Sequence, residues 1–184
     1  MAKEILGSSL CDKLLLLHAF TGCDTTSRIF HIGKSKIMKK HNVIQQSSDV
    51  FYATHSTPEE VSSAGEAIFK VLYCCSKACD LNEGRLHKFC EKVASSTTYV
   101  EPQSLPPTSE SARFHSLRVF HQVQAWFGHA KDALNWGWKF EDSKYTPIMF
   151  LQPPAQKYLM EAIHCNCKTG CQSNKCTCRR HGLP

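Results

Sequence analysis

The sequence predicts a mainly α-helical fold, an irregular helical domain that ends in a short cysteine-rich, metal-binding tail. Three observations carry this expectation. Apolar residues recur at helical spacing through most of the chain, with capping residues where the runs begin. The one strand-like stretch is residues 145–151, just before Pro153 and Pro154. Five of the eleven cysteines fall in the final segment, at Cys165, Cys167, Cys171, Cys176 and Cys178.

The elements come in this order. Residues 9–20 are apolar on nearly every side and predict a mostly buried helix. Thr21-Gly22-Cys23-Asp24 breaks it, and Thr25, Thr26 and Ser27 offer hydroxyl caps to the next element. Residues 34–40 form a basic amphipathic stretch. Thr57-Pro58-Glu59-Glu60 is a strong helix start, with an N-cap threonine, proline in the first turn and acids that complement the dipole. That helix is expected to reach Cys75 and to bury Val61, Ala64, Ile68, Val71 and Leu72. A further helix over residues 82–93 places Leu86, Phe89, Cys90 and Val93 on one face.

Residues 95–108 are a Ser/Thr/Pro-rich loop. Thr108 then caps a long helix to about Ala130, with Leu117, Phe120, Val123, Trp126 and Phe127 as its apolar side. Residues 135–138 form a turn carrying Trp136 and Trp138, and residues 155–163 supply one or two helical turns. The expected organisation is a helical region 1–94 with a hairpin-like segment at 18–40, a linker 95–108, a long helix and tryptophan turn over 109–163, and the tail 164–184. Three further clusters read as ordinary packing. Cys74, Cys75 and Cys79 read as core or surface thiols. His115, His121 and His129 do not share one helix face cleanly, and the tryptophans read as core anchors rather than base-stacking groups.

Hydrophobic content of 42% against 21% charged residues is that of a globular chain. The formal net charge of +6 favours an acidic partner, DNA or RNA above others. Residues 1–10 carry Glu4 beside Lys3 and no cleavage-site pattern, and the apolar run 14–17 is too short to span a bilayer. The expectation is therefore no membrane association, a reducing compartment and thiols that are free or metal-bound. An intracellular, nuclear location is expected with it.

The tail cysteines are spaced C-x-C-x3-C-x4-C-x-C. Zinc takes tetrahedral thiolate or imidazole ligands, and closely spaced pairs let a short loop wrap the ion without a hydrophobic core. Gly170 and Asn174 supply turn freedom. Lys168, Lys175, Arg179 and Arg180 offset thiolate charge and can also meet phosphates. Five cysteines are one more than a single tetrahedral site takes and too few for a cluster of three zincs, so a further ligand is expected beyond Pro184, with His164 or His181 as other candidates. The segment resembles the CXC modules of tesmin-type DNA-binding proteins. In those the first gap is usually one residue longer, and a second half carries four more cysteines.

Residues 18–34 (HAFTGCDTTSRIFHIGK) resemble the region of flap-endonuclease-type, PIN-like nucleases where a metal-binding aspartate precedes a helical hairpin. That resemblance makes Asp24 a metal ligand and Gly33 the start of a helix whose amides, with Lys34, Lys36, Lys39 and Lys40, meet a DNA phosphate. Such hairpins normally have glycine where His31 sits and a small residue where Ile37 sits. A two-metal nuclease also needs several carboxylates, and those beyond Asp24 are expected upstream of this chain. The plain alternative makes Asp24 a turn residue and the lysines a solvated face.

Residues 18–27, 81–90 (LNEGRLHKFC), 105–108 (LPPT), 151–155 (LQPPA) and the C-x-C tail succeed one another in an order similar to a little-characterised family of invertebrate proteins derived from mobile elements. The resemblance covers essentially the whole chain and implies a C-terminal-half fragment of a longer parent. The expected function is that of a nucleic-acid-associated, zinc-binding remnant without catalysis of its own. One alternative is the C-terminal part of a magnesium- or manganese-dependent nuclease with Asp24 as a ligand. Another is a protein-interaction module that uses zinc only for folding.

Overall fold

The helix starts written at Thr57-Pro58 and at Thr108 are starts the chain uses, whereas the helix expected from residue 9 is described from Leu14 and a short helix at Gln45–Asp49 had no sequence signal. In the computed structural model, which describes residue 11, residues 13–95 and residues 100–151, the fold is mainly helical. The elements are α1 (Leu14–Phe20), α2 (Lys34–Met38), α3 (Gln45–Asp49), α4 (Pro58–Leu72), α5 (Leu81–Ser95) and α6 (Ser109–Trp126). A hairpin comes next, with β1 (Trp138–Glu141) and β2 (Lys144–Pro147), and short 3-10 turns lie at Pro102–Ser104 and Ala133–Asn135.

At the start of α4 the Glu60 amide donates to Thr57 Oγ1 at 3.2 Å, and the Thr57 amide donates to the Glu60 carboxylate at 2.8 Å. This reciprocal pair satisfies two otherwise orphaned donors, and Pro58 presets the first turn. Thr108 caps α6 by accepting from the Ser111 amide at 3.2 Å. The end of α4 is less legible. Cys74 takes a left-handed φ of 56°, and the Cys75 amide turns back to Lys70 O at 2.9 Å. That is the chain reversal usually built on glycine, so α4 stops at Leu72 rather than Cys75.

The core is organised around α6. Ala112, the run from Phe114 to Phe120, Val123 and Gln124 are all buried, so the helix is enclosed on most sides. α4 buries Val61, Ala64, Gly65, Ile68, Phe69 and Leu72. It crosses α6 where a Cβ on Gly65 would overlap Ser116 Oγ and Cβ. Phe20 of α1 packs against Phe69 at 4.9 Å between ring centroids and against His115 at 5.3 Å. Trp136 is buried and stacks on Phe120 at 4.3 Å, whereas Trp126 is 39% exposed and stacks on His18. Segments on both sides of residues 95–108 thus contribute to one core.

Four expectations change. Leu86, Phe89 and Val93 are 59%, 44% and 53% exposed, and Cys90 is exposed as well. α5 instead buries its first turn through Leu81 and Gly84, with Gly84 set against Cys75 and Ala78. The long helix ends at Trp126, because Gly128 takes a left-handed φ of 80° just beyond it, and Phe127 is left 49% exposed. α1 is not buried on every side, since Leu15 and His18 face outward. Of the expected strand 145–151 only residues 145–147 are strand, within β2, which pairs antiparallel to β1 in the register Trp138↔Pro147 to Glu141↔Lys144. Asp142 and Ser143 both have positive φ and make the tight turn whose twist matches a hairpin. The helical turns expected at 155–163 lie outside the described residues.

The four buried polar side chains of α6 are each matched to a backbone carbonyl. His115 Nε2 donates to Phe20 O at 3.0 Å, and Ser116 Oγ donates to Ala112 O at 2.7 Å. Arg118 Nη1 donates to Gly137 O at 3.2 Å and also to Ile148 O. Gln124 Nε2 donates to Phe51 O at 2.9 Å. Burial pushes the His115 imidazole down to about 4, with Arg118 nearby acting in the same direction against the Phe20 hydrogen bond.

Gly65→Ala is expected to cost about 2 kcal/mol by forcing α4 and α6 apart, read as a lower urea midpoint with an unchanged slope. His115 supplies a second test. Its folded value lies below the ordinary 6.5, so the unfolded chain binds the proton more readily. Its contribution is complete above pH 6.5 and is lost as pH falls towards 4. The loss should reach about 3 kcal/mol at the lower limit. Urea midpoints at the two pH values check this, and the decline should flatten in His115→Gln.

Candidate nucleic-acid interface

The segment between α1 and α2 is built from two successive tight turns. Thr21 Oγ1 donates back to Leu17 O at 2.7 Å and ends α1. Gly22 then takes a φ of 110°, where a Cβ would also lie 2.9 Å from Arg28 Cα and Cγ, so glycine is required twice over. In the first turn the Thr26 amide donates to Cys23 O at 3.3 Å. Thr26 Oγ1 accepts from the Cys23 amide at 3.1 Å and donates to Ala19 O at 2.6 Å. Buried Thr26 pins the turn to α1, and Asp24 and Thr25 are left exposed at its tip. Thr25 Oγ1 donates to Gln122 Oε1 of α6.

The second turn runs from Ile29 to Ile32, closed by the Ile32 amide on Ile29 O at 3.2 Å. His31 stands at its tip with a φ of 54°. Glycine is the residue that takes such a backbone without strain, and here His31 carries it, its imidazole tilted at 56° to the Phe30 ring with 3.9 Å between centroids. Gly33 caps α2, is exposed and has open space where a Cβ would be. Buried Ile32 and Ile37 hold this stretch to the core, and Lys34, Lys36 and Lys39 are thereby left exposed, with Lys40 half-buried. Lys34 Nζ donates to Gly22 O at 3.4 Å, and Lys40 Nζ reaches Cys74 Sγ at 3.8 Å.

The electrostatics of the segment are one-sided. Residues 25–48 contain Arg28, Lys34, Lys36, Lys39 and Lys40 and no aspartate or glutamate. Cys23 sits at the edge of this face. Burial pushes its thiol up, but hydrogen bonds with Thr25 and Thr26 outweigh burial, and the net direction is down. α2 has only five residues, so its aligned peptide dipoles are few and the lysine charges dominate what an anion would meet.

The other candidates are dispersed. Asp24 has no hydrogen-bond partner among the described residues, and no three His, Cys, Asp or Glu side chains among them converge as a metal group. Cys74 and Cys79 are exposed and Cys75 is buried, where burial pushes its thiol up. His121 contacts Lys131 O at 3.1 Å, and His129 contacts Gln124 Oε1 at 3.1 Å. Cys165, Cys167, Cys171, Cys176 and Cys178, with Lys168, Lys175, Arg179 and Arg180, lie outside the described residues. No helix among the described residues is long and apolar enough to cross a membrane.

A second feature was not legible as a site. Arg28, Arg85 and Arg118 line one cleft together with Tyr73 and His115. The only sequence signal was Arg118 itself, a charge set inside the apolar run Leu117, Val119, Phe120. No family model matches the chain, and neither a curated protein nor a solved structure matches it.

Proposed function

We propose that the protein associates with DNA or RNA through the stretch Gly33 to Lys40, gripping phosphates without turnover of its own. The observation that carries this reading is the run of residues 25–48, five cations and no acid, with its lysines turned outward by two buried isoleucines. Lys34, Lys36 and Lys39 face solvent, so meeting phosphates costs them little desolvation. In this reading the tail cysteines hold zinc and the tail cations add to the same electrostatic term. The location that fits is nuclear, and the mobile-element ancestry implied by the sequence resemblance fits it too.

The test is binding to a short duplex and to a single strand across a salt series. The logarithm of affinity should fall linearly with the logarithm of salt concentration. Alanine at Lys34, Lys36 and Lys39 should reduce that slope by about one unit for each phosphate no longer met. Binding that ignores salt, or a slope untouched by the three substitutions, would overturn the proposal in favour of a protein-interaction module. The zinc has its own check. Zinc should be released into a chromogenic chelator when thiols are blocked, and serine at Cys165 and Cys167 should remove most of it. Protein purified without chelators and found free of zinc refutes this part.

One observation favours a second reading. Asp24 stands exposed on the turn that leads into the basic stretch, where a nuclease's metal ligand would stand beside its DNA grip. As the C-terminal part of a magnesium- or manganese-dependent nuclease, the chain joined to its missing carboxylates would nick plasmid DNA, and Asp24→Ala would abolish the nicking.

A further inference from the structure

The cleft of about 240 Å³ between α4, α5, α6 and the loop 102–107 is lined by charge of one sign. Arg28 reaches it from the turn before α2, Arg85 from α5 and Arg118 from α6. None of the described lining residues is an aspartate or glutamate. Arg118 is 2% exposed, and its partners there are the neutral carbonyls Gly137 O and Ile148 O. Arg85 is also held by carbonyls, Pro106 O and, at 3.5 Å, Pro102 O. Arg28 is exposed and makes no hydrogen bond or ion pair with another described residue.

Guanidinium charge held by carbonyls is solvated but not neutralised. Arg85 and Arg118 are held in this way, Arg28 adds a third, solvent-exposed charge at the same cleft, and an anion there would neutralise charge that the carbonyls leave in place. The hydrogen-bonding groups suit an oxyanion as well. Tyr73 keeps its hydroxyl proton, since burial raises its ionisation above the ordinary value, and Ser111 adds a second hydroxyl. Ile29, Phe30, Phe69, Leu105 and Met149 add apolar wall beside the polar Ser27, Gln103 and His115. A bare inorganic anion would leave those walls unmatched. The volume lies below the roughly 300–1,000 Å³ of ordinary drug-sized pockets, which favours a single ring over a larger body.

We propose that this cleft binds a small aromatic oxyanion, one planar ring carrying a phosphate or carboxylate. The ring packs between Phe30, Phe69 and Leu105, and the anionic group faces the arginines. The cleft shares Arg28 with the acid-free run 25–48 but none of its lysines, and it does not depend on nucleic-acid binding by them. Two sources supply this chemistry, a free small molecule and the phosphorylated end of a nucleic-acid strand.

The test is titration of the full chain, monitored through amide chemical shifts, with phenyl phosphate, benzoate, inorganic phosphate and a 5′-phosphorylated dinucleotide. Phenyl phosphate or benzoate should bind more tightly than inorganic phosphate and shift residues around Tyr73 and Ser111. Arg28→Ala, at an exposed position, should weaken it by about 10-fold, the loss of one charge-assisted hydrogen bond. Lys36→Ala with Lys39→Ala should leave it unchanged, which separates this site from the nucleic-acid face. Tighter binding of the dinucleotide than of phenyl phosphate, with the same loss in Arg28→Ala, assigns the strand end as the source, and the reverse order assigns a free small molecule. Ring-bearing ligands no better than inorganic phosphate, affinity indifferent to Arg28→Ala, or no binding at millimolar concentration would each overturn the proposal.

Discussion

How closely α4 can approach α6 decides what the rest of the chain can do. Gly65 has no side chain where Ser116 sits, and the two helices use that absence to come into direct backbone-to-side-chain contact. The approach brings Phe69 of α4 against His115 of α6, with Phe20 of α1 closing the same cluster. Because α6 is then covered on most sides, four of its polar side chains are buried away from water. His115, Ser116, Arg118 and Gln124 donate to main-chain carbonyls instead, and four of those carbonyls belong to other segments: Phe20 O, Gly137 O, Ile148 O and Phe51 O. A buried polar group left unpaired costs about 1–3 kcal/mol. The same pairing that spares this cost therefore ties the end of α1, the loop after α3 and the start of the hairpin to one central helix.

The two surfaces with chemistry both inherit from this arrangement. The end of α1 is tethered by His115 and Thr26, so the double turn after it starts from a defined point, and Ile32 and Ile37 bring it back to the core. What remains outward is the lysine stretch. The cleft is lined from α6 by Ser111, His115 and Arg118, and from elsewhere in the chain by Arg85 and Arg28. A carboxylate partner would have neutralised Arg118 in place. Carbonyl partners hold the guanidinium and keep its charge available.

Reading the helix starts from sequence succeeded because a cap is a local event. Thr57 with Glu60 and Thr108 with Ser111 satisfy their donors within a single turn of chain. Reading the helix ends was harder. Cys74 and His31 hold left-handed backbone without being glycine, and nothing in their side chains announces it. The stripe Leu86, Phe89, Val93 misled for a different reason. Periodicity reports that a helix has an apolar face, but whether the described chain covers that face depends on where its neighbours go, and among the described residues of α5 Leu81 and Gly84 are the buried ones.

What the sequence determined by itself is the helical class, the starts of the principal helices, the acid-free basic stretch and the spacing of the tail cysteines. These are properties of near neighbours, set by hydrogen bonds within a turn, by side-chain periodicity and by composition. What only the tertiary structure decided is which faces are covered, which lysines point outward, and that Arg28, Arg85 and Arg118 meet at one cleft although 57 and 33 residues separate them in the chain. Such meetings depend on how closely packed helices approach one another. That distance is set at Gly65 and Ser116, by an absent side chain whose meaning appears only once its partner is opposite it.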